Sequence, residues 1–272
     1  MQTHWIIQEF NHPTSNCEQV LVNYLNYIDR PVTTFKYVPF GGTDFSFLQT
    51  IQEPAVFFGT WNTLNDLRKR GISYPKPFVW CDWELFNCNT YYNKLNNFIL
   101  QEDAIFHKLD DIERDWLYKN STDLFFRPND NEKSFTGIVI GKNRFESWRT
   151  QLYEIYNVKP DLLVVSSSVR KIYSEWRMII VNGKVVTGSL YKHDWGLNIQ
   201  PGYPQEVAEF AETVAKQWSP HPVYVLDVGA TDNGYKVVEI GPFNYAGLYA
   251  CDARKIVNAI NDLLENDNAK SV

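Results

Sequence analysis

Over the first hundred positions, short apolar runs bounded by turn-forming residues alternate with amphipathic segments. Trp5-Ile6-Ile7 and Ala55-Val56-Phe57-Phe58 are such runs, and their length and flanks predict buried strands. Between them Val20, Leu21, Tyr24 and Leu25 recur at helical spacing behind a Ser15/Asn16 cap, which predicts a helix over residues 16–27. Residues 60–70 predict another, closed by Gly71. This strand–helix alternation predicts a small α/β lobe over residues 1–105. Within it, the polar and aromatic segment 87–111 yields one helix, over residues 91–100, and then a connection.

From Leu124 the texture changes. Phe125-Phe126-Arg127-Pro128 reads as a strand end, followed by a polar loop (129–134) and a strand over 136–140. Residues 162–166, 175–181, 184–191, 224–228 and 235–240 are strand-like, with helices fitting at 144–156, 204–217 and 252–266. Asn182-Gly183 predicts a tight hairpin, because Asn-Gly readily takes the positive φ of a type I′ turn. A second hairpin turns at Asp232-Asn233-Gly234. Residues 106–272 are therefore expected to form an antiparallel-rich α+β domain.

Composition narrows the function. Hydrophobic residues make up 44% of 272, enough to bury a sizeable core; the 15% of aromatics serve core packing or stacking surfaces for bases. The net charge of −6, with no basic run longer than Arg68-Lys69-Arg70, argues against bulk nucleic-acid binding. Cys17, Cys81, Cys88 and Cys251 match no zinc spacing and read as reduced thiols of a cytoplasmic protein. The start lacks a signal-peptide pattern, and no apolar stretch is long enough for a membrane span.

Three features of the second half carry candidate chemistry. In the strand-flanked loop from Phe126 to Gly137, Arg127 offers a fork of donors and Lys133 a mobile point charge. Such a loop folds over a triphosphate or is simply a solvated surface. Asp227 and Glu239 lie between apolar neighbours on paired strands, converging as hard oxygen ligands for Mg²⁺ or facing outward on an edge hairpin. Val164-Val165-Ser166-Ser167 offers strand main chain to an adenine edge, and Glu175, just before Trp176-Arg177, offers a carboxylate to ribose hydroxyls.

In this order the three features resemble the ATP-grasp superfamily, and especially its phage and bacterial branch with Arg-Pro at the first ATP-binding strand. The resemblance covers about residues 124–264, with residues 1–100 similar to the smaller lobe that precedes the grasp. It implies an α+β fold in which two lobes clasp ATP. It further implies Arg127 on the α-phosphate side of ATP, and Lys133, Ser134 and Gly137 in the loop that closes on the β and γ phosphates. Val165, Ser166 and Ser167 match the adenine-contacting hinge and Glu175 the ribose carboxylate. Arg177 matches a basic residue touching phosphate or acceptor, Lys192 a γ-phosphate contact, and Asp227, Glu239 and Asn244 the ligands of Mg²⁺, two ions in the family. The chain departs from the pattern at Gly241, where the family has Asn two residues after the second metal carboxylate; Asn244 is the nearby substitute. The loop before Lys133 also holds Asn and Asp where the family has glycines.

The activity implied is an ATP-dependent carboxylate–amine ligase working through an acylphosphate. Its acceptor would be an amino acid, a peptide, a protein end or a modified nucleotide. A catalytically impaired nucleotide-binding scaffold and a kinase on the same fold are the alternatives. Neither a Gly-x-Ser-x-Gly elbow nor a Cys–His pairing points to a covalent nucleophile. The five histidines are scattered, His193 beside Lys192 being the one on the expected substrate side.

Overall fold

The computed structural model describes residues 1–9, 17–40, 42–132, 134–194 and 196–269, with side chains described as far as residue 266. The first unit is a parallel sheet, β1 (His4–Glu9), β2 (Val32–Lys36), β3 (Ala55–Phe58) and β4 (Pro77–Phe78), in the order β2-β1-β3-β4. α1 (Cys17–Tyr27) follows β1 and α2 (Trp61–Lys69) follows β3. Both faces of this sheet are covered, which is why β1 and β3 read as continuous apolar runs. Trp5, Ile7, Val56 and Phe58 pack with Leu21 and Leu25 of α1, while Ile6 and Phe57 pack with Leu64 and Leu67 of α2. As the sequence predicts, α2 closes at a glycine in left-handed conformation, Gly71 at φ +62°. The Ser15/Asn16 cap of α1 lies outside the described residues.

A second sheet follows, formed by β5 (Ile105–Lys108), β6 (Asp123–Pro128), β7 (Ile138–Gly141) and β8 (Leu163–Ser168), antiparallel in the order β5-β8-β6-β7. Before it comes α3 (Cys88–Leu95); within it lie α4 (Arg114–Leu117) and α5 (Phe145–Glu154). Leu124, Phe126 and Val164 bury one face against Phe145, Trp148 and Leu152 of α5. That leaves Phe125 and Arg127 facing the other way, because side chains alternate along a strand.

The third sheet comprises β9 (Ser174–Val181), β10 (Lys184–His193), β11 (Gly196–Pro201), β12 (Val223–Thr231) and β13 (Gly234–Pro242). It is antiparallel in the order β11-β10-β9-β12-β13. Met178, Ile180, Leu226 and Val228 pack under α3 and α6 (Gln205–Gln217). Ile179, Val181, Val223 and Val225 face α7 (Ala253–Ala269) and the first sheet. Asn182 and Gly183, at φ +48° and +75°, make the expected β9–β10 hairpin turn. α3 stops at Leu95 rather than running to Leu100: Asn96 takes positive φ, and the Leu100 N–H turns to the carbonyl of Val237 at 2.9 Å. No helix among the described residues is long and apolar enough to cross a membrane.

Candidate active site

The second and third sheets face each other across a cleft of about 340 Å³. Phe125, Arg127, Gly137 and Val139 wall one side; Glu175, Tyr191, Lys192, Val238 and Glu239 wall the other. Gly137 permits the close approach of the Phe125 ring, since a Cβ there would lie 2.8 Å from Phe125 Cζ.

Arg127 and Glu239 meet across this cleft. The guanidinium Nη2 donates to Glu239 Oε1 at 2.9 Å, and both side chains are mostly buried. Burial opposes the guanidinium's charge, but Cys88, Tyr91 and Glu239 beside it hold its pKa above the ordinary arginine value. Arg127 thus stays cationic at any pH of interest.

Further along the same wall, Glu175 accepts from the Tyr191 hydroxyl and from Lys192 Nζ at 3.1 Å. The Tyr191 hydroxyl also lies 3.3 Å from Asp227 Oδ2. Burial, then the charges of Asp227 and Glu175, push the Tyr191 phenol well above its usual pKa, so it remains a donor. Five residues expected at the site therefore line one cleft: Arg127, Gly137, Glu175, Lys192 and Glu239. Lys133 lies outside the described residues, and Ser134 is exposed beside the cleft without lining it.

Arg177 and Asp227 are register partners on β9 and β12, and the buried pair is bidentate: Nε to Oδ1 at 2.9 Å and Nη2 to Oδ2 at 2.7 Å. Arg177 Nη1 donates to the Gly247 carbonyl at 2.8 Å, and the guanidinium lies over the Tyr249 ring, which stacks on Tyr191. Neither residue lines the cleft. Asp227 is opposite Glu239 in the β12–β13 register, as the hairpin predicts, but both its oxygens are engaged by Arg177. A metal at Asp227 would have to displace a buried ion pair.

Asn244 requires a plainer correction. It is fully buried, with Oδ1 accepting from Trp80 N at 2.8 Å and Nδ2 donating to the carbonyls of Phe57 (2.7 Å) and Phe78 (3.2 Å). Its amide joins the first sheet to the segment after β13. It is not a cleft ligand and does not replace the asparagine missing at Gly241.

The expected adenine hinge is also displaced. Val165 packs in the core, and Ser166 points the opposite way, its hydroxyl 3.1 Å from His107 Nε2. Both lie where β8 is paired on either side, by β5 and by β6, so their main chain is committed to the sheet. Ser167 is buried and does not line the cleft. The residues that do are Ser168, Val169, Arg170 and Ile172. The apolar pattern stops at Ser166, but pairing with β6 carries the strand on to Ser168, moving the hinge C-terminally. Gln101, also in the cleft wall, lies in a segment whose pattern gives no sign of it.

Among the described residues no group of three or more His, Cys, Asp or Glu side chains could hold a metal unaided. The donors present fit a different arrangement, in which the Glu239 carboxylate shares an ion with phosphate oxygens. Mg²⁺ commonly takes one or two carboxylates plus substrate phosphates.

The whole chain resembles several solved structures of the same fold. D-cycloserine synthetase DcsG matches at 13% identity and a TM-score of 0.66, over 96% of this chain and 99% of that one. D-alanine–D-alanine ligase from Bacillus anthracis complexed with ATP matches at 15% and 0.58, over 96% and 92%. The ATP-grasp ligase PsnB, complexed with minimal precursor, Mg and ADP, matches at 12% and 0.59, over 96% and 98%. At these identities the likeness is one of fold: an α+β protein with two lobes around a cleft. No curated protein sequence matches. Residues 94–260, more than half of the sequence, match an ATP-grasp domain family, the third of its clade, and the chain belongs to that family.

Proposed function

We propose that the protein is an ATP-dependent carboxylate–amine ligase that activates its carboxylate substrate as an acylphosphate. The observation that carries this is Arg127 facing Glu239 between two antiparallel sheets in a chain of this family. One wall offers a cation to phosphate oxygens, and the other a carboxylate to the metal that shares them, in a cleft of small-molecule size.

In this reading Arg127 contacts the α-phosphate side and Lys133 the β and γ phosphates. Glu175 takes the ribose hydroxyls, and Lys192, half-exposed at the rim, reaches the γ-phosphate. Glu239 holds Mg²⁺ together with the phosphates; the ion supplies charge neutralisation for the transferring phosphoryl group. A substrate carboxylate oxygen takes the γ-phosphoryl group and ADP leaves. An amine then attacks the acyl carbon, phosphate leaves, and a carbon–nitrogen bond remains. The Arg127-Pro128 pair is the feature that suggests the phage and bacterial branch. The four free thiols suit a cytoplasmic setting. Among solved structures of this fold are proteins described as a synthetase and as ligases, with ATP or with Mg and ADP bound, and these support the assignment.

Gly241 and the engagement of Asn244 favour one second reading, a nucleotide-binding scaffold with impaired turnover. Measuring ADP and phosphate release with Mg-ATP over a panel of carboxylates and amines separates the two. Amide product with stoichiometric ADP and phosphate supports the ligase. Tight Mg-ATP binding without turnover on any pair supports the scaffold, and a phosphorylated product without an amide would mark a kinase.

A further inference from the structure

Resting on the nucleotide reading above, we infer that Gln101 reads the adenine base, its side-chain amide donating a hydrogen bond to a ring nitrogen. The segment carrying it crosses the back of the cleft from one lobe to the other. At one end Leu100 N–H bonds the carbonyl of Val237, next to the cleft-lining Val238. At the other, Asp103 accepts from the Ser168 main-chain N–H at 3.1 Å, from the Ser168 hydroxyl, and from Arg170 Nη2 at 3.0 Å.

Gln101 itself is only 6% exposed, yet it lines the cleft. Its Oε1 accepts from the hydroxyl of buried Tyr92 at 2.9 Å, so the Nε2 hydrogens are the polar end presented to the cavity. The walls around it are apolar: Leu100, Phe125, Val139, Ile172 and Val238. A donor held among such neighbours is costly to bury unless a ligand satisfies it. Adenine brings flat apolar faces and acceptor-only nitrogens at N1, N3 and N7, which suit this combination. The main chain leaves few competitors, since β8 is committed to both neighbouring strands at Val165 and Ser166, and Ser168 N–H is taken by Asp103.

The test is equilibrium binding of ATP, of 1-, 3- and 7-deaza-ATP, and of inorganic tripolyphosphate to the full chain and to Gln101→Leu. Gln101→Leu is expected to bind ATP about five- to tenfold more weakly, the effect of one neutral hydrogen bond at a buried site. One of the three deaza analogues should lose a similar factor on the wild-type protein and nothing further on the variant. Tripolyphosphate should bind both equally. Equal affinity of wild type for ATP and all three analogues would overturn the inference, as would a parallel loss of tripolyphosphate in the variant. Should Gln101→Leu not fold, the analogue series on wild type still decides. Gln101→Glu, which keeps the Tyr92 contact and turns the donor into an acceptor, should weaken ATP further still. Failure of wild type to bind ATP at all would sink the nucleotide site itself. Normal ATP binding with no effect of Gln101 would sink only its role.

Discussion

Asp227 and Glu239 sit opposite each other on paired strands, yet their surroundings give them different work. Asp227 is locked to Arg177 in a buried bidentate pair, whereas Glu239 reaches the cleft wall and meets a cation from the other sheet. Glu239→Gln removes charge while keeping volume, so the fold should persist. Mg-dependent turnover should fall about 100-fold or more, as for changes in groups that hold or support a metal. Steady-state ADP release checks this, and an unchanged rate would remove Glu239 from the metal. Asn244 calls for the opposite expectation. Asn244→Ala strands three buried main-chain groups and should cost about 3 kcal/mol or more in a denaturant titration, with no shift in the Mg²⁺ dependence of nucleotide binding. Gly241→Asn provides the contrast. A Cβ there meets only Val225 Cγ2 at 3.4 Å, an ordinary contact, so the variant should fold and bind Mg-ATP more tightly. Identical Mg²⁺ dependence in wild type and Gly241→Asn would show that this position adds no ligand.

At the scale of elements, strands with apolar neighbours on both faces are legible in the sequence, and strands held mainly by partners are not. β9 is buried throughout and is legible to within a residue; β2 and β11 are half-buried or exposed edges with no such pattern, and neither is foreseen. β8 shows what this does to a site. Its serines carry no hydrophobic signal, so the strand reads two residues short and the expected hinge falls on residues that pack away from the cleft. Arg127 and Glu239 fare better, because each lies on a strand whose alternation fixes its direction. The β9–β10 turn is legible for another reason: Asn-Gly encodes a backbone conformation directly. Gly183 stands at φ +75° with no atom within 4 Å of a would-be Cβ. Gly183→Ala should therefore cost about 1 kcal/mol through backbone strain alone. It should lower Tm by about 2–4 °C and leave nucleotide affinity unchanged; a neutral Tm would mean that the turn relaxes.

Across the whole molecule, the three sheets are joined in two different ways. The first and third share a dry core of Trp5, Phe58, Val225 and Phe243, reinforced by the Asn244 amide, so they should move together. The second and third instead face each other over the cleft, where the Arg127–Glu239 pair is the polar bridge. A nucleotide lying there would touch both sheets at once, and its binding energy would add to the cohesion between them. Ligand that binds only the folded state stabilises it by about 2.7 kcal/mol at 100 times Kd. Mg-ATP should accordingly raise Tm by several degrees, and Arg127→Met, which keeps bulk but removes the charge from one wall, should abolish most of that rise. The variant's own Tm is expected to drop as well, because Glu239 would be left facing the cleft without its cation. The ligand-induced increment, measured against each protein's own baseline, is therefore the quantity that decides. An equal increment in both would mean that the nucleotide does not bridge the sheets at Arg127.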